Sequence, residues 1–189
     1  MFEVSADAYD RLMGIYSAQL APQLADFAGV HSGQKALDVG CGPGALTGEL
    51  VARLGPDAVA AVDPSSAFAA AVRERHPGVD VHRSTAEELP FPDASFDAAL
   101  AQLVVHFMAD PVAGLREMGR VTRRDGVVAA CVWVSQVSAR RSPRSGKRPA
   151  TSGTWKTSPN WQARVPATSP SCARLRVFTT SKRPSSLRV

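Results

Sequence analysis

The residues Ala36-Leu37-Asp38-Val39-Gly40-Cys41-Gly42-Pro43-Gly44-Ala45-Leu46-Thr47 decide the fold. They start as a short apolar strand, break at Gly40, Gly42 and Gly44, and run into Leu46, Leu50 and Leu54, which recur at the spacing of one helix face. A strand that turns through glycine into a helix lets a ligand approach the backbone, because no Cβ stands in the way. The first turn of the helix then presents unpaired N–H groups to the same spot.

Working outward, the same alternation repeats. Leu20, Leu24 and Phe27 mark a helix before the first strand, and Gly55-Pro56 stops the helix after it. Residues 58–62 read as a second strand closed by Asp63-Pro64, and 68–75 as a helix broken by His76-Pro77-Gly78. Residues 79–82 and 96–101 read as a third and a fourth strand. Val112, Leu115 and Met118 lie on the apolar face of another helix, and 127–134 is a buried-looking fifth strand. Strands apolar on both faces, alternating with helices, predict an α/β fold: a Rossmann-like doubly wound sheet with five parallel strands. Such sheets bind ligands in the crevice at the carboxyl ends of their strands. No internal repeat occurs, and the pattern stops at Val134.

Asp63 falls 23 positions after Gly40, at the end of the next strand. A carboxylate there accepts both hydroxyls of a ribose. Glycines alone are weak evidence, since every turn uses them. Glycines between strand and helix, followed by an acid closing the next strand, point to a nucleoside-bearing cofactor. Gly40, Gly42 and Ala45 satisfy the dinucleotide-binding pattern, which keeps an NAD(P)-binding oxidoreductase as an alternative. Asp38 before the glycines and Gly44 as a third glycine fit another pattern better.

ALDVGCGPGALT resembles motif I of the class I S-adenosylmethionine-dependent methyltransferases. STAEELPFPDASFDAALAQLVVHFMADP and LREMGRVTRRDGVVAACVW resemble the middle and the fifth-strand region of the methyltransferase type 11 group, which includes ubiquinone- and menaquinone-biosynthesis enzymes. The resemblance covers roughly residues 5–134. It implies S-adenosyl-L-methionine as cofactor and a small-molecule methyl acceptor. Residue by residue, it implies that Asp38, Gly40, Gly42 and Gly44 surround the methionine and ribose part of the cofactor. Asp63 would hold the ribose hydroxyls and Pro64 would lie against the adenine. Thr85 and Ala86 occupy the pair that reads the adenine edge, where the group often has Asp first. Gln102 sits where contacts to the methionine moiety are expected, and Tyr9 and Tyr16 fall in the region that often closes over the cofactor.

No catalytic triad is visible, and the implied chemistry needs none. A sulfonium methyl is already activated, so its transfer mostly needs alignment and exclusion of water. His106 is the candidate base near the strand ends, against the plainer reading of a helix histidine packed beside Phe107. Cys41 reads as a small loop-filling residue, and Glu87 and Glu88 as a solvated helix start. The catalytic residue stays unassigned.

Charge divides the chain at Val134. Of 189 residues, 44% are hydrophobic and 21% charged, values of a globular chain. Residues 1–134 hold 10 of the 22 Lys and Arg and all 17 Asp and Glu; residues 135–189 hold the other 12 basic residues and no acid. Only 7 of those last 55 residues are Leu, Ile, Val or Phe. That is below the ~20% under which a charged segment fails to bury enough surface to order itself. The sequence therefore predicts a cofactor-binding core over 1–134 and a basic Ser/Pro/Arg-rich tail over 135–189, with the family's C-terminal strands missing or replaced.

Three readings of the tail stand together. It could be a disordered linker, or a nucleic-acid-binding arm in which Lys and Arg meet phosphates and Trp155 and Trp161 stack on bases. The third reading is a frameshift product. In GC-rich codons, 146–150 can be written GGG AAG CGG CCC GCG, and dropping two bases gives Glu-Ala-Ala-Arg. Continuing the shift yields an acidic helical text ending in Ala-Gly-Leu, then an alternating strand, as this group's later helix and strand run. On that reading the acceptor pocket, which draws on segments after the fifth strand, is incomplete and activity of this chain is in doubt.

Three scattered cysteines, Cys41, Cys131 and Cys172, exclude a disulfide framework and a CxxC metal site. No apolar run nears the ~20 residues of a membrane span. The opening MFEVSADAYDRL lacks the order of a secretory signal, so a cytoplasmic setting with no membrane or nucleic-acid partner is expected.

Overall fold

The structure, a computed structural model, describes residues 15–134, 156–157 and 174–181. Its first helix, α1 (Ile15–Phe27), precedes β1 (Ala36–Val39), and the glycine turn leads into α2 (Ala45–Leu54). A 3-10 turn at Pro56–Ala58 enters β2 (Val59–Val62), and α3 (Ser66–Arg75) leads to β3 (Asp80–His82). β4 (Phe96–Gln102) is followed by a 3-10 turn at Val105–Phe107, then α4 (Pro111–Val121) and β5 (Thr122–Val134).

The strands pair in the order β3-β2-β1-β4-β5, all parallel, with Asp38 opposite Ala61 on one side and Leu100 on the other. Chain order runs outward from β1 to β3 and then returns to the other side of β1, so it reverses between β1 and β4. That reversal opens the crevice at their carboxyl ends. Alternate residues of each strand face opposite sides. Ala36, Val59, Ala61, Leu100 and Ala129 pack with Leu20, Leu24, Leu46, Leu50 and Val72 of α1 to α3. Leu37, Val39, Val62, Ala99 and Val128 pack with Met118 and Val121 of α4. The two-sided core explains the run of strand residues apolar on both faces.

The helix starts are set locally. The Ser65 hydroxyl accepts the Phe68 N–H at the start of α3, and the Asp110 carboxylate accepts the N–H groups of Val112 and Ala113 at the start of α4. Pro111 at the first position of α4 costs nothing there, because that N–H would be unpaired in any case.

Three expectations change. The sheet does not stop at β5. β7 (Arg174–Ser181) runs antiparallel along it, with Val128 opposite Thr180 and Cys131 opposite Val177, and β6 (Lys156–Thr157) pairs with β7. The free edge of β5 is a row of unpaired N–H and C=O groups, and a short β-prone run can add to it whatever the composition around it. The disorder expected for the rest of 135–189 lies outside the described residues. Val112 is 50% exposed and belongs to no core, although Met118 on the same helix is fully buried. Glu87 and Glu88 lie in a turn rather than a helix start. The Glu87 carboxylate accepts the Asp110 N–H at 3.1 Å and so braces the entry to α4.

Candidate functional site

The glycine turn is tied to the second strand by its backbone. The N–H groups of Gly40 and Cys41 both donate to the Val62 carbonyl, at 2.8 and 3.0 Å. Gly40 has φ +72°, and a Cβ there would lie 2.3 Å from Val104 Cγ2. The position therefore needs glycine twice over, for its left-handed backbone and for the side chain pressed on it. Gly44, also left-handed, stands just before α2. Arg75, at the end of α3, donates to the Pro43 carbonyl at 2.8 Å and holds the turn from the other side.

Asp63 closes β2 as expected. One carboxylate oxygen accepts the Gly42 N–H at 2.9 Å and the other accepts the Ser65 N–H at 2.8 Å. Burial pushes its pKa up, and those two N–H groups oppose the shift. A carboxylate has about four acceptor sites. Two of these accept the Gly42 and Ser65 N–H groups.

Asp38 is 1% exposed. Its Oδ2 accepts the Thr47 hydroxyl at 2.7 Å, while its Oδ1 is buried without a partner among the described residues. Burial pushes its pKa up to about 7, with the Thr47 hydroxyl opposing and the Asp63 charge adding to the rise. Gln102, the last residue of β4, donates through Nε2 to the Ser17 carbonyl of α1 at 2.9 Å. Its Oε1 is also buried and unpartnered among the described residues. Leu103, directly after it, has φ +60°, a costly conformation for a bulky residue. Its N–H is fixed to the Cys131 carbonyl at 2.9 Å. This forced turn sends Val104 onto Gly40. Such backbone strain concentrates at ligand sites.

The remaining expected residues divide. Pro64 is exposed beside Asp63, and its carbonyl accepts the Arg83 Nε–H. Thr85 is exposed and Ala86 buried, in the turn after β3. His106 lies in the 3-10 turn after β4, its ring centroid 4.1 Å from that of Phe107, and partial burial holds its pKa below the ordinary value. Tyr16 belongs to α1; Tyr9 lies outside the described residues. Cys41 is buried, and burial pushes its thiol pKa up, away from a nucleophile's range.

Sequence reasoning missed Thr47, Arg75, Leu103 and Val104. Thr47 closes the quoted stretch and could have been read as the partner of Asp38; the other three act through contacts that no spacing encodes. No group of three or more His, Cys, Asp or Glu among the described residues could hold a metal ion. No helix among them is long and apolar enough to cross a membrane. A cleft of about 410 Å³ opens at the other end of the sheet, lined by Gln34, Asp97, Arg123 and Gly126. It has neither the glycine turn nor an unpartnered acceptor.

Comparison with known proteins bears on this geometry. A family model described as a methyltransferase domain matches residues 37–130. Malonyl-[acyl-carrier protein] O-methyltransferase of Serratia marcescens is 33% identical over 129 residues, 65% of this chain and 50% of that protein. Demethylmenaquinone methyltransferase of Mycobacterium sp. (strain JLS) is 41% identical over 103 residues, 54% of this chain and 43% of that protein. The chain thus spans about half the length of these curated relatives. Among solved structures, a SAM dependent methyltransferase from Aquifex aeolicus superimposes with a TM-score of 0.62 at 21% identity, over 75% of this chain and 79% of that one, which shows the fold.

Proposed function

The chain belongs, through residues 37–130, to the methyltransferase-domain family, and from that premise we propose that it binds S-adenosyl-L-methionine in the crevice between β1 and β4 and serves methyl transfer to a small-molecule acceptor. The observation that carries this reading is a pair of buried acceptors, Asp38 Oδ1 and Gln102 Oε1, that have no donor among the described residues and lie at the carboxyl ends of adjacent strands.

The residues present fit the cofactor. An unpaired buried acceptor is costly, about 1–3 kcal/mol each, unless a ligand supplies the donor. The ammonium of a methionine moiety is such a donor, and it favours the ionised form of a carboxyl group whose pKa burial has raised. Asp63 retains acceptor capacity for vicinal ribose hydroxyls, and the family resemblance gives the backbone N–H of Ala86 the adenine edge. When bound, the cofactor would supply a sulfonium methyl whose carbon an acceptor nucleophile attacks in line, the methyl–sulfur bond breaking and S-adenosylhomocysteine leaving.

The chain's own part is to position and to exclude water. Gly42, where an added Cβ would meet nothing within 4 Å, leaves the turn open to a ligand, while Val104 packs on Gly40 from the β4 side. Gln102 links that side to α1, which covers the same end of the sheet. No base is assigned; His106, whose pKa partial burial lowers, sits past the end of β4. The cofactor machinery lies within 1–134, and 135–189 adds edge strands. The relatives' names, one for a carrier-protein-linked malonyl group and one for a quinone precursor, support a small or carrier-linked acceptor. Buried free thiols at Cys41 and Cys131 accord with a cytoplasmic setting.

Competition between S-adenosylhomocysteine and NAD for the chain tests the reading. Binding of the former that NAD fails to displace supports it. Displacement by NAD at similar concentration would return the site to the dinucleotide alternative.

A further inference from the structure

We propose that Arg120 and Glu117 of α4 are positioning residues for adenine recognition, acting through the turn that carries Thr85 and Ala86. The inference rests on the cofactor assignment above and adds residues that neither the glycine turn nor the strand ends contain.

Residues 83–95 form a long connection from β3 to β4 with no regular structure. Such a segment normally moves, yet here α4 sews it down along its length. Glu87 Oε1 accepts the Asp110 N–H just before the helix. One turn on, Gly114 lies so close to the connection that an added Cβ would stand 3.2 Å from Ala86 Cβ. Next comes Glu117, whose Oε2 accepts the Leu89 N–H at 3.2 Å. Arg120 finishes the row. Its guanidinium donates to the carbonyls of Leu89 and Phe91 at 3.0 and 2.8 Å, to Asp93 at 2.8 Å, and twice to Glu117 at 2.7 and 2.8 Å. The Arg120 carbonyl then accepts the N–H of Ala94, which is held at φ +54°.

A fixed guanidinium fork reaching several acceptors at once orients backbone in a way that a lysine ammonium does not. Both the N–H and the C=O of Leu89 are held by this one pair of side chains. Ala86, three residues earlier, packs on the same helix. Arg120 and Glu117 are half-buried, their side chains 31% and 24% exposed, and besides pairing with each other they fix the backbone of Leu89 and Phe91. Reading a base edge by a backbone N–H needs that N–H placed to a fraction of an ångström, and α4 is the element that places it.

The test uses the full chain, with S-adenosylhomocysteine and its counterpart carrying hypoxanthine in place of adenine as probes. The variants are Arg120→Lys, Arg120→Ala and Glu117→Gln. Wild type should prefer the adenine ligand; absence of binding to either would sink the cofactor assignment itself, apart from this inference. With that preference in place, Arg120→Ala should lose roughly tenfold in affinity for the adenine ligand, the scale of one well-placed hydrogen bond. Its discrimination against hypoxanthine should narrow by a similar factor, and Arg120→Lys should recover only part. A purely structural role would instead lower the melting temperature and leave the ratio of the two affinities alone. Should Arg120→Ala fail to fold, Arg120→Lys and Glu117→Gln carry the decision. An unchanged affinity ratio in both would overturn the proposal.

Discussion

Two regions on opposite faces of one sheet treat their polar groups in opposite ways. Around Arg120 every guanidinium nitrogen is used, five hydrogen bonds in all, and Arg120 holds the Glu117 carboxyl below its usual pKa range. Around Asp38 and Gln102 two buried acceptors have no donor among the described residues, and the Asp38 pKa is pushed up to about 7. Both regions are rich in acids. The satisfied one is a frame, which fixes a connection in place. We read the unsatisfied one as a receptacle, since buried polar groups of folded chains are normally partnered and a ligand would supply the missing donors.

The largest expected break in this contrast is Gly40→Ala. The new Cβ would meet Val104 Cγ2 at 2.3 Å in a backbone at φ +72°. Overpacking and left-handed strain together should cost about 2–5 kcal/mol and abolish S-adenosylhomocysteine binding. Adding Val104→Ala should recover the packing part of the stability loss and not the strain part, which a thermal melt reads directly.

Asp63→Ala comes next. It removes the acceptor of two backbone N–H groups and the proposed partner of the ribose. Calorimetry should show S-adenosylhomocysteine affinity weakened by about 1.5–3 kcal/mol. Unchanged affinity in a folded variant would detach Asp63 from the receptacle.

Asp38→Asn sharpens the contrast through pH. The folded-state pKa of about 7 lies above the ordinary value of 3.8. The folded chain therefore holds a proton that the unfolded chain releases. Stability from this group is full below about pH 4 and is lost as pH rises through 7. Asp38→Asn should melt higher than wild type at pH 8, by a few degrees for each ~1 kcal/mol, and close to it at pH 5. Ligand binding runs the other way: wild-type affinity for the ammonium-bearing ligand should fall between pH 8 and 5.5, while the variant shows no such slope.

The receptacle was largely legible in the sequence, and the frame was not. The glycine turn, Asp38 and Asp63 announce themselves because their chemistry depends on spacing within one strand-turn-helix unit. Arg120 and Glu117 act on residues about thirty positions away, and nothing local marks them. Leu103 adopts a left-handed backbone that its side chain argues against, imposed by the Cys131 carbonyl on the neighbouring strand. Val112 matches a helical apolar period and is nevertheless exposed, because it lies in the first turn of α4, ahead of Leu115 and Met118, which do pack on the sheet. β7 was hidden by averaging: seven large aliphatic or Phe residues in 55 argue against order, yet Leu175, Val177 and Phe178 fall within one eight-residue run. A free sheet edge responds to that run and ignores its surroundings.

Hydrogen exchange of the full chain with and without S-adenosylhomocysteine tests the central claim most directly, because it locates the ligand rather than merely detecting it. Protection should appear at the amides of residues 40–45, 63–65, 85–89 and 102–105, the segments that meet at the carboxyl ends of the strands. Protection confined to residues 123–127 at the opposite cleft, or absent at saturating ligand, would contradict the account.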